Sequence, residues 1–114
     1  MADVPQDGAP GQAGDSPAVR DNPAAKRLEI VTPTGTAYAE YRLAPGIITF
    51  THTLVPESLR GHGLGGRLIV AGLAMARERG LKVTPVCPFF RAHMRTHAET
   101  QDLLSDEGRA LLAK

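Results

Sequence analysis

The order of patterns along the chain predicts an α/β (α+β) domain, a mixed and mostly antiparallel sheet flanked by two to three helices. Three observations carry that reading. Residues 27–55 hold runs of period two separated by turn residues. A stretch of helical period follows a cluster of glycines at 61–66. A second short apolar run at 81–87 then leads into a proline-initiated segment. Strands first, then a helix, a strand and a helix describe one sheet with helices packed on it.

Each element follows from its residues. "RLEIVT" at 27–32 alternates, with Leu28 and Ile30 on one face. "AYAEYRL" at 37–43 alternates too, placing Ala37, Ala39, Tyr41 and Leu43 together. The "PTGT" between them is a turn signal, so the two runs pair as antiparallel strands. "APG" at 44–46 turns the chain again. "IITFTHTLV" at 47–55 is β-branched and aromatic with apolar residues on both faces, as an interior strand requires. Leu64, Leu68, Ala71 and Met75 then recur at helical spacing. Gly80 closes that helix, with Arg77 and Arg79 in its last turn. "LKVTPVC" reads as a short strand, and Pro88 suits the first position of a helix with Phe90 and Met94 on one face. "SDEGRALLAK" gives a last helix capped by Ser105.

Residues 1–25 differ in texture. They are rich in Ala, Gly, Pro and Asp, with Val4 and Val19 as the only large aliphatics. Too little apolar surface is present to offset the entropy of ordering them, so they read as a disordered tail before a domain at 26–114. The tail carries a net charge of −3 and the body +4. A mildly basic body suits a small anionic ligand, and a solvated surface accounts for it as well. Near-balanced charge overall, 13 basic against 12 acidic residues, argues against a dedicated nucleic-acid binder. The one cysteine excludes an internal disulfide. The longest apolar run, 68–76, is too short to span a bilayer, and no secretory pattern opens the sequence. No membrane partner and a cytoplasmic location are the expectation.

The glycine cluster is the strongest functional signal. A strand passing through Gly61, Gly63, Gly65 and Gly66 into a helix leaves the first helical N–H groups unpaired. The helix dipole puts partial positive charge at the same end. Missing Cβ atoms let an anion approach the backbone, and Arg60 and Arg67 stand nearby. The turn is therefore shaped for phosphate or pyrophosphate. No Gly-Lys-Ser/Thr follows, which excludes a Walker loop, and the Gly61-x-Gly63-x-x-Gly66 match lacks the βαβ context of a dinucleotide fold.

Arg60-x-x-Gly63-x-Gly65 after a strand and before a long helix resembles the Gln/Arg-x-x-Gly-x-Gly/Ala motif of the GNAT superfamily of acyl-CoA-dependent N-acetyltransferases. "HTLVPESLRGHGLGGRL" and "TPVCPFFRAHMRTHAETQDLL" are similar to its very small YjdJ-like, N-acetyltransferase domain-containing members, over roughly residues 26–104. The resemblance implies a minimal GNAT-like fold and acetyl-CoA as acyl donor, with no metal. The coenzyme A pyrophosphate would sit on the backbone of Arg60, Gly61, His62, Gly63, Leu64, Gly65 and Gly66. Its pantetheine arm would pair with the strand end at Leu54 and Val55. The acceptor would be a primary amine, on a small molecule or a protein lysine. The early helices that usually help bind the acceptor are missing from the pattern. The rival expectation is therefore a non-catalytic CoA-binding or protein-interaction module.

Two residues are candidates for the chemistry. Cys87 precedes the Pro88 helix, whose N-terminus would favour a thiolate able to take acetyl from CoA. The alternative is a small buried apolar residue. His52, expected to share a strand face with Phe50 and Leu54, is a candidate general base or a hydrogen-bonded strand histidine. His93 and His97 at i, i+4 have zinc spacing but lack a third ligand, so solvated histidines are the simpler reading. Arg91 and Arg95 are read as a solvated helix face rather than as partners of the CoA 3′-phosphate. Tyr38 and Tyr41 are read as sheet packing.

Overall fold

The computed structural model describes residues 18–114. Five strands form one sheet in sequence order: β1 (Arg20–Asn22), β2 (Arg27–Thr32), β3 (Gly35–Ala44), β4 (Ile47–Leu54) and β5 (Lys82–Pro85). The first four pair antiparallel, and β5 joins β4 in parallel. A parallel partner needs a crossover, supplied by α1 (Leu64–Glu78). A short 3₁₀ turn at Glu57–Leu59 precedes α1. After β5 come α2 (Pro88–Thr96), a 3₁₀ segment at Ala98–Leu103 and α3 (Asp106–Leu112). The mixed, mostly antiparallel sheet with flanking helices is the fold class the sequence indicates.

One face of the sheet makes the core. Leu28, Ile30, Ala37, Ala39, Tyr41, Ile48 and Phe50 are buried there against Leu68, Leu73 and Ala76 of α1. Phe90 of α2 stacks on Phe50 with ring centroids 4.0 Å apart, so α1 and α2 lie on the same face. Gly72 of α1 fits between these rings: a Cβ there would come 2.9 Å from Phe50 and 3.1 Å from Phe90. Ser105 caps α3 as expected, accepting from the Gly108 N–H at 3.0 Å. Leu43, expected with the core face, is 57% exposed, because β3 runs past the end of the helical layer.

Two expectations need correction. The ordered chain begins before Lys26. Arg20–Asn22 pairs with β2, and Asp21 accepts from the Tyr41 hydroxyl at 2.6 Å and from Arg79 at 3.2 Å. Paired backbone and a charge-assisted bond to a buried hydroxyl order residues whose composition alone suggested a tail. The rest of the expected tail, 1–17, lies outside the described residues. The second correction concerns β4. Its pairing with β3 steps from Tyr41↔Phe50 to Glu40↔His52, so Thr51 is an extra residue at a β-bulge. The bulge reverses the phase of the strand. Thr53 joins the core face, and His52 and Leu54 turn to the other, so His52 does not share a face with Phe50.

Candidate active site

β4 and β5 pair only from Ile47↔Lys82 to Phe50↔Pro85. The last bond between the two segments runs from the Cys87 N–H to the Phe50 carbonyl at 2.8 Å. Pro88 then starts α2 and takes the chain away from the sheet. Residues 51–54 of β4 keep β3 on one side and lose β5 on the other. The splay opens a cleft of about 440 Å³ beside that free strand edge. Leu54, Val55, Arg60, Gly65 and Gly66, all singled out by sequence, line it. So do Thr53, Ile69 and Phe89, which sequence reasoning did not single out. Phe89 carried a readable signal: an apolar side chain at the start of α2, off the Phe90–Met94 face, and 62% exposed.

The floor of the cleft meets the start of α1. Gly63 is the N-cap residue at φ 73°, and Gly61 precedes it at φ 87°. Both lie in the left-handed region that favours glycine, and the tight turn they make requires it. No side chain caps α1, and no acid stands in its first turn. Gly65 and Gly66 of this opening turn line the cleft, and no capping side chain competes there for an anion. A Cβ at Gly61, Gly63 or Gly66 would meet nothing within 4 Å, so the space over the turn is open. Arg60 holds the approach in place, donating from Nε to the Val55 carbonyl at 3.3 Å. Leu64 contributes its backbone alone, because its side chain is buried in the core. His62 is exposed within the turn. The arrangement combines an uncapped helix start, an apolar slot and a strand edge that β5 no longer pairs among the described residues. Those are the three things a phosphorylated pantetheine thioester needs, and the residues present fit coenzyme A.

Cys87 and His52 are separated by the sheet. Cys87 is the N-cap residue of α2 and 1% exposed, with its sulfur 3.3 Å from the Thr53 hydroxyl. It sits behind Thr53, which lines the cleft, and is not itself part of the lining. His52 stands on the opposite face, its ring 6.3 Å from that of Tyr38. The structure does not bring the two together as a nucleophile–base pair.

The remaining candidates lie elsewhere. His93 and His97 stack with centroids 3.8 Å apart along the α1–α2 groove. Burial, and then the neighbouring His97, lower the His93 pKa from its ordinary value. Among the described residues, no three His, Cys, Asp or Glu side chains gather as a metal site. Arg91 and Arg95 bond to the carbonyls of Val86 and Leu112. Tyr41 is core packing with a tethered hydroxyl, and Tyr38 lies under the Arg27 guanidinium at 4.3 Å. No helix of the described residues is long and apolar enough to cross a membrane.

An NMR solution structure of a GCN5-like protein from Staphylococcus aureus superposes with a TM-score of 0.64 at 24% identity. The match covers 81% of this chain and 91% of that one, and it establishes a shared fold. No curated protein sequence matches the chain. A family model described as GCN5-related N-acetyl-transferase matches residues 27–103. That span takes in the sheet from β2 onward, the glycine turn and the cleft, and the chain belongs to the GCN5-related N-acetyltransferase family.

Proposed function

We propose that the protein transfers acetyl from acetyl-CoA to a primary amine, with the donor in the β4–β5 cleft. The observation that carries this is the coincidence of three features in one cleft: the uncapped glycine turn at 60–66, the apolar walls of Leu54, Val55, Ile69 and Phe89, and the unpaired edge of β4. The pyrophosphate rests on the opening amides of α1. The pantetheine amides add to β4 as a short strand. The acetyl group then lies near Thr53 and Leu54.

Burial and the lack of an adjacent base favour direct attack over an acyl-cysteine. The amine nitrogen adds to the thioester carbonyl, a C–N bond forms, and the C–S bond breaks. The sulfur leaves with the electron pair and takes up a proton. The proton released by nitrogen passes to water or to the imidazole of His52, a side chain able to accept it. The covalent route, with Cys87 acetylated first, remains the chemical rival because its sulfur lies directly behind Thr53.

Mass spectrometry of the protein with acetyl-CoA, alone and with an amine panel, tests both. Donor retention with CoA release only in the presence of an amine supports direct transfer. An acetyl adduct on Cys87 before amine is added, lost together with turnover in Cys87→Ser, supports the covalent route. CoA binding without turnover of any amine would instead point to a non-catalytic CoA-binding module.

A further inference from the structure

Acyl transfer uses the cleft, and of the sheet face opposite the core it involves only Leu54 and His52. On that face a hollow of about 290 Å³ lies between the β1–β2 turn, β3 and β4, lined in part by Lys26, Glu40, Arg42 and Thr51. Its charges are unusual for being unspent. The neighbouring Arg27 and Glu29 pair at 2.6 Å. By contrast the half-buried Glu40 carboxylate, and the side chains of Lys26 and Arg42, make no hydrogen bond or ion pair among the described residues. Lys26 is also the one non-glycine described residue with positive φ, at 55°, pinned by the Tyr41 N–H on its carbonyl at 2.9 Å. Holding a lysine in that conformation has an energetic cost that glycine would avoid.

A simple anion in this hollow would meet Glu40, and a simple cation would meet Lys26 and Arg42. A ligand carrying both charges a few ångströms apart satisfies all three. We propose that the hollow binds the zwitterionic headgroup of an α-amino acid, with the carboxylate on Lys26 and Arg42 and the ammonium on Glu40. Direction follows from the sheet. Glu40 pairs with His52, and Leu54, two residues on along the same face, lines the acyl cleft. That step is about 7 Å at the strand rise of ~3.3 Å per residue. A four-carbon side chain ending in an amine would run in that direction from the hollow, so the acceptor would be an α,ω-diamino acid acetylated at its ω-nitrogen. This last step rests on the acyl-transfer reading, whereas the headgroup site does not.

The test is a two-dimensional amide NMR titration of the full chain with L-lysine, 1,5-diaminopentane and glutarate. L-lysine should shift amides at 25–26, 40–42 and 51. The diamine and the dicarboxylate should bind at least ~10-fold more weakly, as should L-lysine to Arg42→Ala or Glu40→Gln, each removing one charged hydrogen bond. Equal binding of the diamine, or shifts confined to other regions, overturns the proposal. Acetylation with acetyl-CoA then separates the two claims. L-lysine binding with Nε-acetyl product upholds both. L-lysine binding without any turnover upholds the hollow and counts against acyl transfer. Turnover confined to amines that do not shift the amides of the hollow overturns the diamino-acid acceptor and leaves acyl transfer standing.

Discussion

At the scale of single residues, the candidate site was legible where a missing side chain was the message and illegible where one inserted residue changed the phase. Gly63 and Gly61 could be read because only a tight turn with positive φ, at 73° and 87°, justifies such a cluster before a helix. Gly66 permits a clean test of the anion seat, because it lies inside α1 with open space around its missing Cβ and lines the cleft. Gly66→Glu should fold and place a carboxylate against the pyrophosphate, lowering CoA affinity by about 2–4 kcal/mol. Calorimetric titration checks this, and unchanged affinity would remove the glycine turn from the binding site. Gly72 makes the opposite case. Alanine there gains about 1 kcal/mol of helix propensity. Its methyl, however, would press on Phe50 and Phe90, both fully buried and stacked, so neither ring can recoil. Overpacking of about 1–3 kcal/mol should win, leaving Gly72→Ala less stable in urea. His52 could not be placed by pattern alone. The bulge at Thr51 comes from pairing with β3, which no period within β4 itself reveals.

At the scale of elements, strands and helices with their own periodicity were readable, and β1 was not. Arg20–Asn22 has three residues and no apolar alternation. It is held instead by pairing to β2 and by one side chain, Asp21, which joins Tyr41 of β3 to Arg79 at the end of α1. The stabilisation thus comes from residues distant in sequence, which local composition cannot report. A chain beginning at residue 26 should therefore melt several degrees below one beginning at residue 18, and equal melting temperatures would show that β1 adds nothing. The same contact sets a pH dependence. Burial, then the bond to Asp21 and its negative charge, push the Tyr41 hydroxyl up to about 12 from its ordinary value of 10.0. The folded state holds this proton more tightly than the unfolded one. The contribution is therefore complete below pH 10 and is lost as pH rises from about 10 to 12, by on the order of 2–3 kcal/mol. Tyr41→Phe should flatten that part of the alkaline melting profile, and an unchanged slope would assign the loss to other groups.

At the scale of the whole molecule, one helical layer on one face of the sheet explains both the domain's small size and its open site. α1 and α2 crowd the core face, and the splay between β4 and β5 is what the departure of α2 leaves behind. The fold class was legible because element order constrains topology strongly, whereas the acceptor's location depends on which face each strand residue takes after the bulge. Charge also acts at this scale. Residues 26–114 carry a net +4, and a polyanion such as CoA should feel that field in addition to the α1 amides. The two contributions respond differently to salt. Surface charges are screened once the Debye length falls from about 10 Å at 0.1 M to about 3 Å at 1 M. Amide hydrogen bonds and apolar burial in the cleft are screened far less. CoA affinity should therefore weaken between 0.1 and 1 M salt and then persist. At a fixed concentration ~100 times its Kd in 0.1 M salt, CoA should stabilise the fold there by about 2.7 kcal/mol, and at 1 M salt by less but still measurably. For a domain of this size the larger value is a rise in melting temperature of roughly 10 °C or more. Scanning calorimetry with and without CoA at both salt concentrations measures this directly. A shift that vanishes in high salt would mean that CoA is held by the basic surface alone, and would remove the α1 amides from their place in the site.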